Sequence, residues 1–198
     1  GPAPGQMGDN LPAIDLGTGL YAIKVVNGQG AMCALLNNNK IKCWGQNSLG
    51  QLGLGDTNNR GDQPGEMGDN LPFVDLGDDT DGLPYEALDI VAGQYSFCAL
   101  LRSGNVKCWG ANFFGQLGIG NTINQADDPA RPLSAIPSVD FGTGLTPVDL
   151  HSGSDANHTC AIFEDGRMKC WGQNVFGQLG LGDTTDRGAS PGQMGDNL

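Results

Sequence analysis

Six cysteines are the residues of this chain best suited to chemistry, and they occur as three pairs with one spacing. In each pair the second cysteine lies ten positions after the first and is followed by Trp-Gly. The pairs are Cys33 with Cys43, Cys98 with Cys108, and Cys160 with Cys170. Thiolates can ligate a metal or form disulfides. Metal ligation is disfavoured because there is no Cys-x-x-Cys and the two histidines, His151 and His158, both lie in the third copy.

A β-hairpin explains the cysteine spacing. If Cys33 lies opposite Cys43 on neighbouring strands, residues 37–39 form a three-residue loop, and the same register leaves residues 102–104 and 164–166 as loops. The last loop residue is then Asn or Gly, which adopts a positive φ at little cost. Because directly opposed strand positions lie within disulfide distance, we predict three disulfides, each worth about 3 kcal/mol in the chain-entropy model.

No catalytic constellation accompanies the cysteines. His151 and His158 near Asp155 could form an acid–base pair, but no serine or cysteine nucleophile stands in a recognisable setting beside them. A framework role for His158 is the simpler interpretation. We predict no enzymatic activity, no cofactor and no metal site.

Three surface motifs each have an ordinary structural alternative. Arg60-Gly61-Asp62 spells an integrin-type tripeptide, but the third copy has Arg187-Gly188-Ala189 at that place, which favours a turn. Asn157-His158-Thr159 is the only Asn-x-Ser/Thr sequon, and a secreted protein could carry a glycan on Asn157. Residues 78–82, Asp-Asp-Thr-Asp-Gly, offer oxygen ligands for calcium without the spacing of a known loop, which favours a solvated loop.

Trp44, Trp109 and Trp171 recur at one strand position. They could line a glycan-binding face, but repeated aromatic residues in a repeat array are more often core between neighbouring units. We therefore expect them to be buried.

Composition points to an all-β chain in an oxidising compartment. Of 198 residues 33 are glycine, and the hydrophobic fraction of 38% lies in strand-sized groups. The net charge of −12 argues against binding to nucleic acid or an anionic membrane and fits a basic partner or a cation better. No apolar run is long enough to span a bilayer, and the first residues lack the features of a signal peptide, so we expect a soluble, mature chain. Six paired cysteines predict an extracellular or cell-surface location.

A repeat of about sixty to sixty-five residues organises the chain. Pro-x-(Ile/Val)-Asp-(Leu/Phe)-Gly occurs at residues 12–17, 72–77 and 137–142, and Met-Gly-Asp-Asn-Leu at residues 7–11, 67–71 and 194–198. We divide the chain into unit 1 (residues 1–65), unit 2 (66–130), unit 3 (131–190) and the start of a further unit (191–198). About four short strands are expected in each unit, the content of a propeller blade.

The string Trp-Gly-x-Asn-x-x-Gly-Gln-Leu-Gly-x-Gly, at residues 44–55, 109–120 and 171–182, resembles the repeat of the regulator of chromosome condensation family. The resemblance covers essentially the whole chain and implies a β-propeller of four-stranded antiparallel blades, of which three units are present. Paired cysteines are absent from the nuclear prototypes of that family. The resemblance implies that chromatin binding and nucleotide exchange by those prototypes need a basic face. These activities do not fit so acidic a chain.

Two functions from different classes follow. The first is a structural array in which three stapled units associate with copies of themselves, or with further repeats of a longer chain, because propeller closure typically needs four to eight blades. Residues 194–198 at the end of one copy, which repeat the sequence of residues 7–11, would then meet residues 7–17 at the start of the next. We expect a filament or surface array rather than a ring. The alternative is a secreted binding module for a protein or glycan ligand, with residues 121–136 as its most divergent segment.

Overall fold

The computed structural model describes residues 5–79 and 81–198, and within them the regular structure is β-strand with four one-turn 3-10 helices. The strands are β1 (Ala22–Asn27), β2 (Ala31–Leu36), β3 (Ile41–Gly45), β4 (Ala87–Ala92), β5 (Ser96–Leu101), β6 (Val106–Gly110), β7 (Pro147–Ser152), β8 (His158–Phe163) and β9 (Met168–Gly172). The 3-10 helices are Gly8–Asn10, Gly68–Asn70, Leu133–Ala135 and Gly195–Asn197. Among the described residues, no helix has the length and apolar character needed to cross a membrane.

Each unit forms one antiparallel sheet of three strands, in the order β1-β2-β3, β4-β5-β6 and β7-β8-β9. The fourth strand that we expected in each unit is not found as a strand in the described residues. Its place is marked by isolated bridges from Gly45 to Arg60, Gly110 to Gln125 and Gly172 to Arg187. The chain between the bridged residues contains glycines with positive φ, such as Gly50, Gly53 and Gly55, and these turn the backbone away from an extended path.

The predicted hairpin register is correct in all three units. Cys33 pairs with Cys43, Cys98 with Cys108 and Cys160 with Cys170, and each pair is joined by a disulfide. Asn39, Gly104 and Gly166, the last residues of the loops, have φ values of 60°, 82° and 82°. Three different loop sequences thus reach one geometry because each supplies a residue that tolerates the left-handed region.

The core lies between the sheets. One cluster packs the disulfide face of the first sheet, including Cys33 and Ile41, against the face of the second sheet that carries Phe97 and Trp109. The other cluster repeats this arrangement between the disulfide face of the second sheet and Trp171 of the third. Every sheet therefore has two different faces, a disulfide face and a tryptophan face, and neighbouring units join them in one orientation.

Candidate functional site

The junction between two units is built around a buried indole. Trp109 is fully buried and its Nε1–H donates to the carbonyl oxygen of Gln51 at 3.1 Å. Trp171 is fully buried as well and donates to the carbonyl oxygen of Gln116 at 3.0 Å. An indole can be buried only where its N–H finds an acceptor, and the preceding unit supplies one each time.

Glycines of the preceding unit make room for the indoles. A Cβ on Gly53 or on Gly118 would lie 3.0 Å from the Nε1 atom of Trp109 or of Trp171. Gly115 lies so close to the backbone of Ala189 that a Cβ there would collide with it. The repeated glycines of the tail are therefore required by contact with the next unit as well as by their positive φ.

Two backbone hydrogen bonds complete each junction. The amide of Gly55 donates to the carbonyl of Ala126 at 3.1 Å, and that of Gly120 donates to the carbonyl of Gly188 at 3.0 Å. At the outer edge the amide of Val74 donates to the carbonyl of Ile41 on β3 at 2.9 Å, and the amide of Val139 to that of Val106 on β6 at 2.8 Å. The first and second sheets are thus each extended by a residue from the following unit.

The tryptophan face of unit 1 and the disulfide face of unit 3 have the residues of a junction without the neighbour. Trp44 is only half-buried, and no indole hydrogen bond is formed by it within residues 5–79 and 81–198. Phe176 is 90% exposed and Met168 is 62% exposed, whereas Val106, the counterpart of Met168, is fully buried. A Cβ on Gly180 would meet nothing within 4 Å, and one on Gly177 would meet only the carbonyl oxygen of Asp183 at 3.8 Å.

A second repeated arrangement involves the lead-in segments, the name we give to the three copies of Met-Gly-Asp-Asn-Leu and to their counterpart at residues 132–136. Lys42 is buried, and its ammonium group donates to the carbonyls of Leu16 and Gly68 at 2.9 and 2.8 Å. Lys169 does the same in unit 3 with Phe141 and Gly195. Burial lowers the pKa of Lys42, although the carboxylates of Asp69 and Asp15 act in the opposite direction. The lysine therefore clamps a lead-in segment onto the unit that precedes it.

Hydrogen bonds from threonine residues to aspartate side chains also hold the docked segments. Asp69 accepts hydrogen bonds from the amide and the hydroxyl of Thr18, both at 2.7 Å. Asp196 accepts the same pair from Thr143, at 2.8 and 3.2 Å. These bonds hold the pKa of both aspartates below the ordinary value, because they stabilise the carboxylate form.

The two histidines make separate contacts in the structure. His151 lies on β7 with its Nε2 3.1 Å from Asp149 Oδ2, and both side chains are exposed. His158 lies on β8, where burial lowers its pKa and its carbonyl accepts a bond from Ser152 Oγ at 3.0 Å. Among the described residues, no group of three or more metal-ligating side chains is arranged to hold an ion.

Arg60 and Asn157 are engaged within the fold. Arg60 Nη2 is 2.7 Å from Asp56 Oδ2, and the Gly61 amide donates to Glu66 at 2.9 Å, so the Arg-Gly-Asp tripeptide belongs to its own turn. The Nδ2 atom of the half-buried Asn157 donates to Gln94 at 3.1 Å across the junction of units 2 and 3. A glycan on Asn157 would have to replace that bond, and its glycosylation stays a prediction.

The acidic segment at residues 78–82 falls partly outside the described residues, because Thr80 is not among them. Asp79 accepts hydrogen bonds from the amides of Asp81 and Leu83 at 2.9 and 3.1 Å. This carboxylate therefore serves the loop itself.

Sequence reasoning missed the lysine clamp. Lys42, Lys107 and Lys169 stand directly before the second cysteine of each pair, between two residues of a buried strand. That placement was the available signal, because a lysine is almost never buried without partners.

Comparison with known proteins identifies the repeats. Residues 23–51, 88–116 and 154–178 match the regulator of chromosome condensation (RCC1) repeat. The human probable E3 ubiquitin-protein ligase HERC6 is 30% identical over 175 residues, which are 87% of this chain and 15% of that protein. The chain thus spans a small part of this relative's length.

Two solved structures have the same fold. Human WBSCR16 aligns with a TM-score of 0.62 at 20% identity, over 86% of this chain and 38% of that one. Prp20p from Saccharomyces cerevisiae, whose structure was described with its binding properties to Gsp1p and histones, aligns with a TM-score of 0.58 at 19% identity, over 85% of this chain and 37% of that one. The three disulfide-braced units are repeats of the regulator of chromosome condensation family, with the β-propeller-type fold of that family.

Proposed function

We propose that this chain is a non-enzymatic structural repeat protein whose copies join head to tail into a filament or surface array. The disulfide face of unit 3 in one copy would pack on the tryptophan face of unit 1 in the next. The observation that carries the proposal is that these two exposed faces are the two halves of the junction found twice inside the chain. A second copy could therefore reproduce a contact that this sequence already makes.

The correspondence extends to individual groups. Trp44 would donate to the carbonyl of Gln178, as Trp109 does to Gln51. The amide of Gly182 would donate to the carbonyl of Gly61, as that of Gly120 does to Gly188. The amide of Ile14, whose side chain is 56% exposed, would meet β9 at Met168, as Val74 meets Ile41.

The setting that best fits the proposal is outside the cell. Three disulfides, with no free cysteine in the described residues, indicate an oxidising environment. A disulfide next to each packing face would also keep that face in one shape before a neighbour arrives.

Electron microscopy and sedimentation velocity test the proposal with a matched pair of variants. Gly177→Ala adds a methyl group at the position equivalent to Gly115, where the next unit leaves no room, although Gly177 itself has only Asp183 O at 3.8 Å. Gly65→Ala is the control: Gly65 has a similar φ and open surroundings, and unit 2 carries Ala130 at the same place in a formed junction.

We expect the native chain and Gly65→Ala to form assemblies that grow with concentration, and Gly177→Ala to remain single particles. Discrete rings in micrographs would mean that the copies form a closed ring and not a filament. Native chains that stay single at every concentration would end the assembly proposal, and would leave further repeats of a longer chain as what covers the two faces.

A binding module for a protein or glycan ligand is the second candidate, and one cavity favours it. A cavity of about 300 Å³ at the junction of units 1 and 2 is lined by Phe73, Arg60 and Asp75, which combine an aromatic ring with both charges. Prp20p, a neighbour in fold, binds proteins according to its description. Loss of ligand capture in Phe73→Ala, with assembly unchanged, would favour this candidate.

A further inference from the structure

The lead-in segments differ in whether they are docked. Residues 67–71 lie on unit 1 and residues 194–198 lie on unit 3, whereas residues 7–11 are exposed throughout. Leu71 is 1% exposed but Leu11, with the same position in the same five-residue sequence, is 57% exposed. The chain therefore contains three copies of one peptide and two examples of the site that holds it.

The two sites make the same contacts. In unit 1, the amide of Gly68 donates to the Asp15 carbonyl at 3.0 Å, and Lys42 donates to the Gly68 carbonyl at 2.8 Å. In unit 3, the amide of Gly195 donates to the Asp140 carbonyl at 3.0 Å, and Lys169 donates to the Gly195 carbonyl at 2.8 Å. The threonine pair on the aspartate completes both sites. We call the residues that hold the docked segment the acceptor: Asp15, Thr18 and Lys42 in unit 1, and Asp140, Thr143 and Lys169 in unit 3.

The acceptor of unit 2 holds a different peptide. Its lead-in segment has Ser134 where the others have aspartate, and Asp78 stands where the other acceptors have Thr18 and Thr143. Lys107 still donates to the carbonyl of Ser134, at 3.0 Å, and a Cβ on Gly77 would lie 3.1 Å from the same carbonyl oxygen. A carboxylate at residue 78 would repel the aspartate of Met-Gly-Asp-Asn-Leu, so the two kinds of acceptor discriminate by charge.

In head-to-tail packing, two segments would compete for the acceptor of unit 3. In the formed junctions the segment before the Val74 contact occupies the acceptor of the preceding unit. When Ile14 of an incoming copy takes the place of Val74, its residues 7–11 reach the acceptor that residues 194–198 already fill.

We propose that the acceptor of unit 3 is an exchangeable peptide-binding site, in which residues 7–11 of a second copy displace residues 194–198, and that Thr143 determines its specificity. This inference rests on the proposed assembly for its biological use, but the peptide recognition can be measured alone. The segment of the same chain competes at an effective concentration in the millimolar range, so the site is masked in the native protein.

Fluorescence anisotropy with a labelled peptide of residues 5–17 tests the inference on the full chain. Asp196→Ala removes the two bonds from Thr143 to the resident segment. We expect this variant to bind the peptide at least tenfold more tightly than the native chain does. Equal binding by the two chains would overturn the inference.

A charge variant tests the specificity. Thr143→Asp, added to Asp196→Ala, recreates the charge of the unit 2 acceptor. We expect its affinity for the native peptide to fall at least tenfold, and we expect it to prefer a peptide with Asp9→Ser. Circular dichroism of each variant serves as the folding control, and Thr143 is exposed, as the equivalent Asp78 is. No change in preference would overturn the role of Thr143.

Failure of this inference can be told from failure of the assembly proposal. The peptide lacks both packing faces, so its binding is independent of head-to-tail contact. Assembly of the native chain with no peptide binding by Asp196→Ala would refute exchange alone, and peptide binding by a chain that never assembles would refute assembly alone.

Discussion

Trp109 and Trp44 occupy the same strand position, follow the same cysteine and precede the same glycine, yet their surroundings differ. Trp109 is fully buried with its N–H bonded to Gln51, while Trp44 is half-buried on the outer face of unit 1. The residue opposite each tryptophan differs, since Trp109 faces Phe97 and Trp44 faces Met32. The acceptor of the Trp109 N–H, however, comes from the preceding unit. Burial of a repeat residue therefore depends on the neighbouring unit as well as on its own hairpin.

Substitution of the two tryptophans gives the largest expected effect. Trp109→Ala should lower the free energy of unfolding by about 3 to 5 kcal/mol, the usual cost of removing a buried large aromatic side chain. Trp44→Ala should cost much less in dilute protein, because its ring is partly solvated already. Chemical denaturation of both variants is the measurement.

Concentration sharpens this prediction. If copies pack head to tail, the effect of Trp44→Ala should grow as the protein is concentrated, while that of Trp109→Ala should not. Equal costs for the two substitutions in dilute protein would mean that the exposed face of unit 1 is not an unfilled junction.

Reduction of the disulfides should follow the same contrast. Cys98 and Cys108 are 2% and 0% exposed behind unit 3, whereas Cys160 lies on the open face and is partly exposed. We expect Cys160–Cys170 to be reduced first by a mild thiol, on the order of tenfold faster, because a thiolate must reach the sulfur atom that it attacks. Mass mapping of alkylated, non-reduced digests measures the order. Uniform reduction, or any link between units, would contradict it.

Acid should loosen the lead-in segments docked on units 1 and 3 and spare the one docked on unit 2. This is the smallest expected effect. The folded-state pKa of Asp69 and of Asp196 lies below 3.8. Their contribution to stability is therefore present above about pH 4, near the ordinary carboxyl pKa, and is lost as the pH falls through the lower folded-state values. The lead-in segment docked on unit 2 has Ser134 instead and should not respond.

Amide resonances of Thr18 and Thr143 would report this loosening in a pH titration of the folded protein. We expect their midpoints below 3.8, with no matching change at Ser134. Midpoints above the ordinary carboxyl value would mean that the threonine bonds do not hold the aspartates.

The sequence was a good guide to what lies within one hairpin. Strand pairing, the cysteine register and the positive φ of Asn39 follow from short-range spacing, since few loops fit between opposed cysteines. The same reasoning overestimated the fourth strand, because the glycines of the tail, such as Gly50 and Gly53, have positive φ and turn the backbone away from an extended path. Arg60 bridges to Gly45 by one residue pair only.

Contacts made by the lead-in segments were harder to foresee than the burial of Trp109 and Trp171 between units. The lysine clamp joins Lys42 to Leu16 and Gly68, each twenty-six positions away in opposite directions, and no local pattern encodes such a triangle. The identity of the lead-in sequences was visible, but what they bind depends on the acceptor residues of a different unit. Thr18 had no visible role, and Asp78 was considered only as part of the acidic segment at residues 78–82, until the fold placed the two at equivalent positions.

The hydrogen bond from Val74 to Ile41, and its counterpart from Val139 to Val106, has a consequence for folding. Since the edges of the first and second sheets are completed by the following unit, a single unit lacks part of this hydrogen bonding, and stability becomes a sum of intrinsic and nearest-neighbour terms. Such a chain behaves as a one-dimensional cooperative lattice. Opening should begin at the outer units and travel inward, so that amide exchange is slowest on β4, β5 and β6, which are flanked on both sides.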